Sequence, residues 1–200
     1  VSLLHPDTEQ EPLYYAIPEF DVRVEFEPVD FVQVNGEINR AMIGKALELL
    51  APEQHDRVLD LFCGIGNFSL PLARRSGGVL GVEGDATLVR RAAANAASNA
   101  LTNAEFRQAD LAAIDGTEKW LQGPWDGLLM DPARSGAAEV ARLIGRIDPA
   151  RIVYVSCHPG TLARDAGVLV NEAGYSLDAA GIIDMFPHTA HVESIAVFRK

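Results

Sequence analysis

Cys157 has the side chain best suited to nucleophilic chemistry, and it stands where a buried strand is predicted to end. Residues 152–155 ahead of it are β-branched or aromatic without polar alternation, which is typical of strands covered on both faces of a parallel sheet. Pro159 then begins a helix, whose N-terminus is expected to lower the pKa of the Cys157 thiol. Because ligands bind at the carboxyl ends of such strands, Cys157 is a candidate nucleophile. The alternative is a small buried hydrophobic residue.

A glycine loop, Asp60-Leu-Phe-Cys-Gly-Ile-Gly-Asn-Phe68, follows another predicted strand. Its glycines allow a ligand close to the backbone, and the helix after the loop presents free amide groups. Glu83 ends the next strand about 20 positions on, where an acidic residue can hold two ribose hydroxyls. Ser69 replaces the third glycine of the dinucleotide fingerprint, which argues against a nicotinamide cofactor. A turn that only joins strand to helix is the alternative.

Three further carboxylates stand at the ends of predicted strands. Asp110 would lie near an adenine amino group if Glu83 holds the ribose, although an exposed loop carboxylate is equally ordinary. Asp131 is followed by a proline that fixes its backbone, and Asp-Pro is also a common turn opener. Glu193 begins a buried strand, where partial desolvation would raise its basicity. It is a candidate general base, and a surface glutamate is the alternative.

Metal binding is the function that the sequence supports least. Asp184, His188, His191 and Glu193 lie close together in the chain, but no Cys or His elsewhere completes a familiar ligand spacing. The two cysteines stand on separate strand ends without a Cys-x-x-Cys cluster. We therefore expect no metal site in this chain.

Strands and helices alternate from residue 57 onward, which predicts an α/β fold with a doubly wound, mainly parallel sheet. The predicted strands are 58–62, 79–83, 105–108, 127–130 and 152–156. The predicted helices are 68–75, 86–99, 117–121, 137–146 and 162–173. Two late strands, 175–183 and 192–198, are separated only by a loop and must pair antiparallel or lie apart.

The N-terminal part has a different pattern. Residues 1–18 are rich in Pro, Glu and Gln and resemble a linker, whereas 21–26 alternate like a half-exposed strand. A helical spacing then runs from Asn35 to Leu50, and Pro52 ends it. We expect a linker and edge hairpin over 1–30 and a catalytic domain over 31–200.

Composition excludes several classes of protein. The chain has 200 residues of which 48% are hydrophobic, enough to bury one core. No apolar run reaches the roughly 18 residues of a membrane span, and the few cysteines suit a reducing setting, so a cytoplasmic location is expected. The net charge of −11 opposes strong binding of this chain alone to a polyanion, because nucleic-acid affinity comes largely from Lys and Arg.

Five sequence segments together resemble the RNA uracil-C5 methyltransferases, a family of Rossmann-like, S-adenosylmethionine-dependent enzymes. Two are the glycine loop already quoted and Asp131-Pro-Ala-Arg134. The latter, together with the loop Pro187-His-Thr189, looks most like the enzymes that act on large-subunit (23S) ribosomal RNA rather than on tRNA. The other three are Phe31-Val-Gln-Val-Asn35, Tyr154-Val-Ser-Cys-His-Pro-Gly-Thr-Leu-Ala-Arg-Asp165 and Phe186-Pro-His-Thr-Ala-His-Val-Glu193.

The resemblance implies roles for individual residues. Cys157 would be the nucleophile that adds to uracil C6, and Glu193 the base that removes the C5 proton. His158 stands where many relatives have Asn, a residue that contacts the uracil edge. The residues that would bind S-adenosylmethionine are Gln33, Phe62, Asn67, Glu83, Asp110 and Asp131.

Full-length relatives carry an OB-like RNA-binding domain, and some carry an iron–sulfur cluster; we expect this chain to lack both and to bind RNA weakly by itself. Two other functions remain open at this stage. A nicotinamide-dependent oxidoreductase would explain the glycine loop and Glu83 but leave Cys157 and Glu193 unused. A catalytically silent RNA-associated domain would have kept only the fold.

Overall fold

The structure, a computed structural model, describes residues 12–189 and 191–200. A seven-stranded sheet with the order β5-β4-β3-β6-β7-β9-β8 forms its centre. The strands of this sheet are β3 Arg57–Leu61, β4 Gly78–Glu83, β5 Ala104–Gln108, β6 Gly127–Met130, β7 Arg151–Ser156, β8 Ser176–Ile183 and β9 Glu193–Arg199. The helices are α1 Gly36–Leu50, α2 Ser69–Ala73, α3 Ala86–Ser98, α4 Ala138–Ile147 and α5 Pro159–Asn171.

Strands β3 to β7 are parallel, and their side chains alternate between two cores. On one face, Val58 and Val153 pack with α1, α2 and α3. On the other face, Leu59 and Ile152 pack with α4 and α5. Both faces of each strand are therefore covered, which explains the continuous hydrophobic runs in the sequence. The predicted doubly wound α/β fold is confirmed.

The last strand, β9, lies between β7 and β8 and runs antiparallel to both. The prediction that the two late strands pair antiparallel is thus confirmed. The register of β9 against β7 pairs Ser156 with Ser194, so Cys157 and Glu193 are the next opposed positions beyond the ladder. This register brings two distant parts of the chain to the same edge of the sheet.

A separate two-stranded hairpin lies at the N-terminal end, with β1 Leu13–Ile17 antiparallel to β2 Val22–Phe26. The strand predicted over 21–26 is confirmed. The linker predicted over 1–18 is wrong for Leu13–Ile17, because Ile17 is buried in the core and Tyr15 packs against it despite the proline-rich surroundings. Residues 1–11 of that predicted linker lie outside the described residues.

The observed secondary structure departs from the prediction mainly at residues 117–121. Residues 117–121 were predicted to be helical, but only a short 3₁₀ turn, Lys119–Gln122, forms there. Gly116 and Gly123 flank this turn, and the side chains of Asp115 and Glu118 accept hydrogen bonds from the backbone amides of residues 115–117 just before it. So short a segment gains too few backbone hydrogen bonds to offset nucleation. No helix within the described ranges is long and apolar enough to cross a membrane.

A fully buried carboxylate, Asp165, joins three elements behind the rim of the sheet. It accepts hydrogen bonds from the Tyr154 hydroxyl at 2.7 Å, from the Ala137 amide at 2.7 Å and from Arg164 Nε at 2.8 Å. These bonds connect β7, α5 and the loop after β6. That loop carries Asp131, so Asp165 fixes its position relative to Cys157.

We predict that Asp165→Ala lowers the free energy of unfolding by about 3 kcal/mol, because it leaves a hydroxyl and an amide without partners in the core. Urea denaturation measures this loss. Asp178 is the matched control: it also pairs with an arginine, Arg199, but both side chains are about half exposed. Asp178→Ala should cost less than about 1 kcal/mol. Equal losses in the two variants would contradict the role of Asp165.

Candidate active site

A cavity of about 420 Å³ opens at the carboxyl ends of β3, β4, β6 and β7. Seven of the eight residues proposed from sequence line it, and they come from six separate segments of the chain. These residues are Gln33, Phe62, Asn67, Glu83, Asp131, Cys157 and Glu193. The fold therefore brings the predicted nucleophile, base and cofactor residues around one space.

The glycine loop forms one wall of this cavity in a backbone conformation that few side chains tolerate. Phe62, Gly64 and Gly66 have φ angles of 64°, 53° and 97°. A Cβ on Gly66 would also meet Leu70 Cγ at 3.1 Å. Positive φ is costly for a bulky residue such as Phe62, and such strained residues cluster at active sites. Phe62 both begins this turn and lines the cavity.

Glu83 is held in place by backbone donors at the end of β4. Its Oε2 accepts from the Gly64 amide at 3.1 Å, and its Oε1 accepts from the Gly84 amide at 2.7 Å and the Asp85 amide at 3.1 Å. A carboxylate offers about four lone-pair sites, so capacity remains for a ligand hydroxyl. Glu83 also shapes the glycine loop, a second role that sequence analysis did not predict.

Cys157 and Glu193 face each other across the end of the β7–β9 ladder. Directly opposed residues of an antiparallel pair place their Cβ atoms about 4.5–5.5 Å apart on the same side of the sheet. The hydroxyl of Ser194 donates to the Ser156 carbonyl at 3.1 Å and secures this end of the ladder. Glu193 is only 3% exposed, and burial raises the pKa of its carboxyl group as the sequence suggested.

The pKa of the Cys157 thiol is raised, so the expectation that the helix would lower it is wrong. Burial is the main cause, followed by the negative charges of Glu193 and Asp131; Arg134 only partly opposes them. The first helical residue of α5 is Pro159, and His158 separates it from the cysteine. Burial and two nearby carboxylates therefore raise the pKa of the thiol despite the helix N-terminus, and the thiol is protonated near neutral pH.

Two buried acids carry raised pKa values beside this site. Burial, followed by the charge of Glu193, raises the pKa of Asp131 to about 7. Burial also raises the pKa of Asp60, beneath the glycine loop, to about 7, although the Ser69 hydroxyl donates to it. Asp60 Oδ1 has no hydrogen-bond partner among the described residues. Negative charge is thus concentrated around the cavity. Among the described residues that line it, Arg134 is the only cation.

His158, whose role the sequence left open, is the N-cap of α5. Its Nδ1 accepts a hydrogen bond from the Thr161 amide at 3.2 Å, which satisfies one of the free donors at the helix start. Asn is among the preferred residues at this position of a helix. His158 can therefore replace Asn as the cap, and it does not line the cavity.

Asp110 is the one proposed residue that does not line the cavity. It follows β5, and its carboxylate accepts a hydrogen bond from the Ala112 amide at 3.0 Å. Its assignment as a cofactor residue therefore stays a prediction. Gln33, in contrast, lines the cavity and has a buried Oε1 with no hydrogen-bond partner among the described residues.

Sequence analysis missed two polar residues of the cavity, Tyr15 and Arg134. Arg134 stands within the quoted Asp131-Pro-Ala-Arg134 segment, so its cationic side chain was a signal that could have been used. Tyr15 gave no such signal, because its contact with Asn67 spans 52 positions in sequence. Within residues 12–189 and 191–200, no group of three or more His, Cys, Asp or Glu side chains is placed to hold a metal ion.

Comparison with known proteins identifies relatives of this chain. It is 57% identical over 194 residues to the 23S rRNA (uracil(1939)-C(5))-methyltransferase RlmD of Stenotrophomonas maltophilia. The matched region covers 97% of this chain and 44% of that protein. It is also 57% identical over 201 residues to RlmD of Xanthomonas campestris, covering 100% of this chain and 45% of the relative. The chain thus spans less than half the length of these relatives.

Solved structures agree with the sequence relatives. The tRNA (uracil-54, C5)-methyltransferase of Pyrococcus abyssi, solved in complex with S-adenosyl-L-homocysteine, superposes with a TM-score of 0.81 at 32% identity over 94% of this chain and 44% of that chain. TYW2 of M. jannaschii has a TM-score of 0.64 at 19% identity over 90% of this chain and 82% of its own, which shows the shared fold. The sequence model of the tRNA (Uracil-5-)-methyltransferase family matches residues 13–200, so the chain belongs to that family.

Proposed function

We propose that this chain is the catalytic part of an S-adenosylmethionine-dependent RNA methyltransferase that methylates uracil C5 in 23S rRNA. The opposition of Cys157 and Glu193 across the β7–β9 ladder carries this proposal, because it supplies a nucleophile and a base at one cavity. The names of the RlmD relatives support the choice of ribosomal RNA.

The cavity fits S-adenosylmethionine by charge and by hydrogen bonding. Glu83, Asp131 and Glu193 line it, and this excess of carboxylates favours a cationic ligand. The Oε1 of Gln33 has no partner within residues 12–189 and 191–200, and an amino group of the ligand would provide the donor that it needs. Gln33, Phe62, Asn67, Glu83 and Asp131 would hold the cofactor, with Asp110 as a further predicted contact. When bound, S-adenosylmethionine supplies an electrophilic methyl group on a cationic sulfur.

Cys157 and Glu193 would act at successive steps on the base. Uracil C5 is too weak a nucleophile by itself, so Cys157 gives up its thiol proton to solvent, adds to C6 as the thiolate and turns C5 into an enolate-like carbon. Once C5 carries the new methyl group, Glu193 takes the C5 proton. The electron pair of that C–H bond re-forms the C5–C6 double bond and expels the thiolate. The buried, more basic Glu193 suits this role.

The alternatives account for fewer of these features. A nicotinamide oxidoreductase leaves the opposed Cys157 and Glu193 without a task, and the position of the third glycine is taken by buried Ser69, which donates to Asp60. A catalytically silent domain would need neither a nucleophile nor a base at the cavity.

Binding of the RNA is expected to need more than this chain. The net charge of −11 opposes a polyanion, and the relatives are more than twice as long. The same proposal includes a linker and hairpin over 1–30, a catalytic domain over 31–200 and a cytoplasmic location.

We predict that Glu83→Gln raises the Kd for S-adenosylhomocysteine about 10- to 100-fold, because it removes the charge from hydrogen bonds to the ribose hydroxyls. Gln keeps one acceptor oxygen, for the Gly64 amide or for the Gly84 and Asp85 amides, whereas Ala would keep none. Isothermal titration calorimetry measures the change. Glu105→Gln, which alters an exposed carboxylate on the neighbouring strand, is the control. Wild-type affinity in Glu83→Gln would count against the assignment.

A second prediction concerns ionisation of Cys157. Without cofactor, alkylation of Cys157 by iodoacetamide should still accelerate as the pH rises above about 8.5, the pKa of an ordinary thiol, where the rate for an unperturbed thiol would level off. Asp131→Asn removes one of the negative charges that raise the thiol pKa, so the midpoint should move to lower pH. Mass spectrometry of the Cys157 peptide gives the alkylation rates. The control is Asp115→Asn, because the Asp115 carboxylate is exposed and remote from the cavity. An unshifted midpoint in Asp131→Asn would be evidence against this electrostatic coupling.

The roles of Cys157 and Glu193 can be separated by the species that each variant accumulates. In the full-length protein, Cys157→Ala should abolish methylation, because no C6 adduct can form. Glu193→Gln should add the thiol and accept the methyl group but stall before elimination, since an amide cannot take the C5 proton. Denaturing electrophoresis with labelled RNA should show a slow covalent band for Glu193→Gln and none for Cys157→Ala.

Two outcomes would contradict these roles. Methylation by Cys157→Ala would exclude it as the nucleophile. Turnover of Glu193→Gln at the wild-type rate, with no trapped band, would assign the base to another group. A silent domain would give neither methylation nor a covalent band in the wild type.

A further inference from the structure

The N-terminal hairpin contributes one side chain to the cavity. Tyr15, on β1, lines it, and its hydroxyl donates a hydrogen bond to Asn67 Oδ1 at 2.8 Å. Burial raises the pKa of this hydroxyl, so it stays neutral and keeps its proton. A phenol donor is therefore fixed against one of the residues proposed to hold the cofactor.

Asn67 is oriented by its neighbours. Its Oδ1 also accepts from Asn39 Nδ2 at 3.0 Å, and its Nδ2 donates to Asn39 Oδ1 at 3.1 Å. Asn39 lies on α1 and is only 3% exposed. With the Asn67 oxygen bonded twice and one N–H used, one N–H of Asn67 remains for a ligand. Rotation of this amide alone by 180° would end the donation from Tyr15 Oη and would place the Nδ2 groups of Asn67 and Asn39 against each other.

The hairpin is held in place by an unusual contact with α3. Asn95 Oδ1 accepts from the Glu25 amide at 2.9 Å, while its Nδ2 donates to the Glu25 carbonyl at 3.0 Å. Asn99, one turn on, makes the same pair of bonds to Arg23, at 2.8 and 2.6 Å. We name Asn95 and Asn99 the amide clamp. The two carboxamides bind the outer edge of β2 as a neighbouring strand would, so the position of Tyr15 is set by the folded domain.

We propose that Tyr15 is a positioning residue of the cofactor site, which orients the Asn67 carboxamide so that its free N–H faces an acceptor atom of S-adenosylmethionine. This inference rests on the proposed function. It makes the hairpin part of the site, although sequence analysis placed that segment outside the catalytic residues. The hydroxyl of Tyr15 acts through Asn67, so its removal should matter only when Asn67 is present.

A double-mutant cycle tests this dependence. Isothermal titration calorimetry would measure S-adenosylhomocysteine binding to wild type, Tyr15→Phe, Asn67→Ala and the double variant. Tyr15→Phe should raise the Kd about 3- to 10-fold, the value of one hydrogen bond. In the Asn67→Ala background, the same change should have no further effect, because coupled residues are non-additive. Thermal denaturation of each ligand-free variant checks that the fold is unchanged.

Tyr14→Phe is the matched control. Tyr14 is the adjacent residue on the same strand, half exposed and stacked against the Arg23 guanidinium at 3.8 Å from the ring centroid. It should bind S-adenosylhomocysteine like wild type. Unchanged binding by Tyr15→Phe, or an equal loss in both backgrounds, would overturn the positioning role. Failure of the wild type to bind would instead refute the proposed function, so the two failures are distinguishable.

Discussion

The antiparallel register of β9 against β7 is the constraint on which the site depends. In that register Cys157 and Glu193 are opposed, although they are far apart in sequence. A slip of one residue would turn Glu193 to the other face of the sheet and remove the base from the cavity. The central position of β9, with ladders on both sides, makes such a slip costly because every residue of the strand would have to change its core. Stability of the sheet and proximity of the two groups thus have the same origin.

The acidic groups around the cavity lower the stability of the folded protein in the absence of ligand. Asp60, Asp131 and Glu193 all have pKa values raised above those of free carboxyl groups. An acid whose folded-state pKa is raised binds its proton more tightly in the folded protein, so its contribution is favourable at low pH. For Asp60 and Asp131, that stability is lost as the pH rises from about 4 to about 7. A cationic ligand would offset this cost, so the same feature that weakens the fold favours binding.

Much of the fold and most of the site residues could be predicted from the sequence, because they depend on local patterns. Cys157, Glu83 and Asp131 each follow a hydrophobic strand, and parallel strands bring such positions to one edge. The raised pKa of Cys157 could not be predicted, since it depends on carboxylates from two other strands. The contact of Tyr15 with Asn67 was equally invisible, because nothing in a hairpin sequence specifies where the hairpin will lie.

The amide clamp has a consequence for how this part of the chain can vary among relatives. Within β2, Asn95 and Asn99 bind main-chain atoms alone, at Arg23 and Glu25. Any residue with a free backbone N–H could replace Arg23 or Glu25 without loss of those bonds, and only proline is excluded. The two asparagines have no such freedom, because aspartate lacks the donor and glutamine is longer by one methylene. Evolutionary drift should therefore be wide at Arg23 and Glu25 and narrow at the two asparagines that bind them.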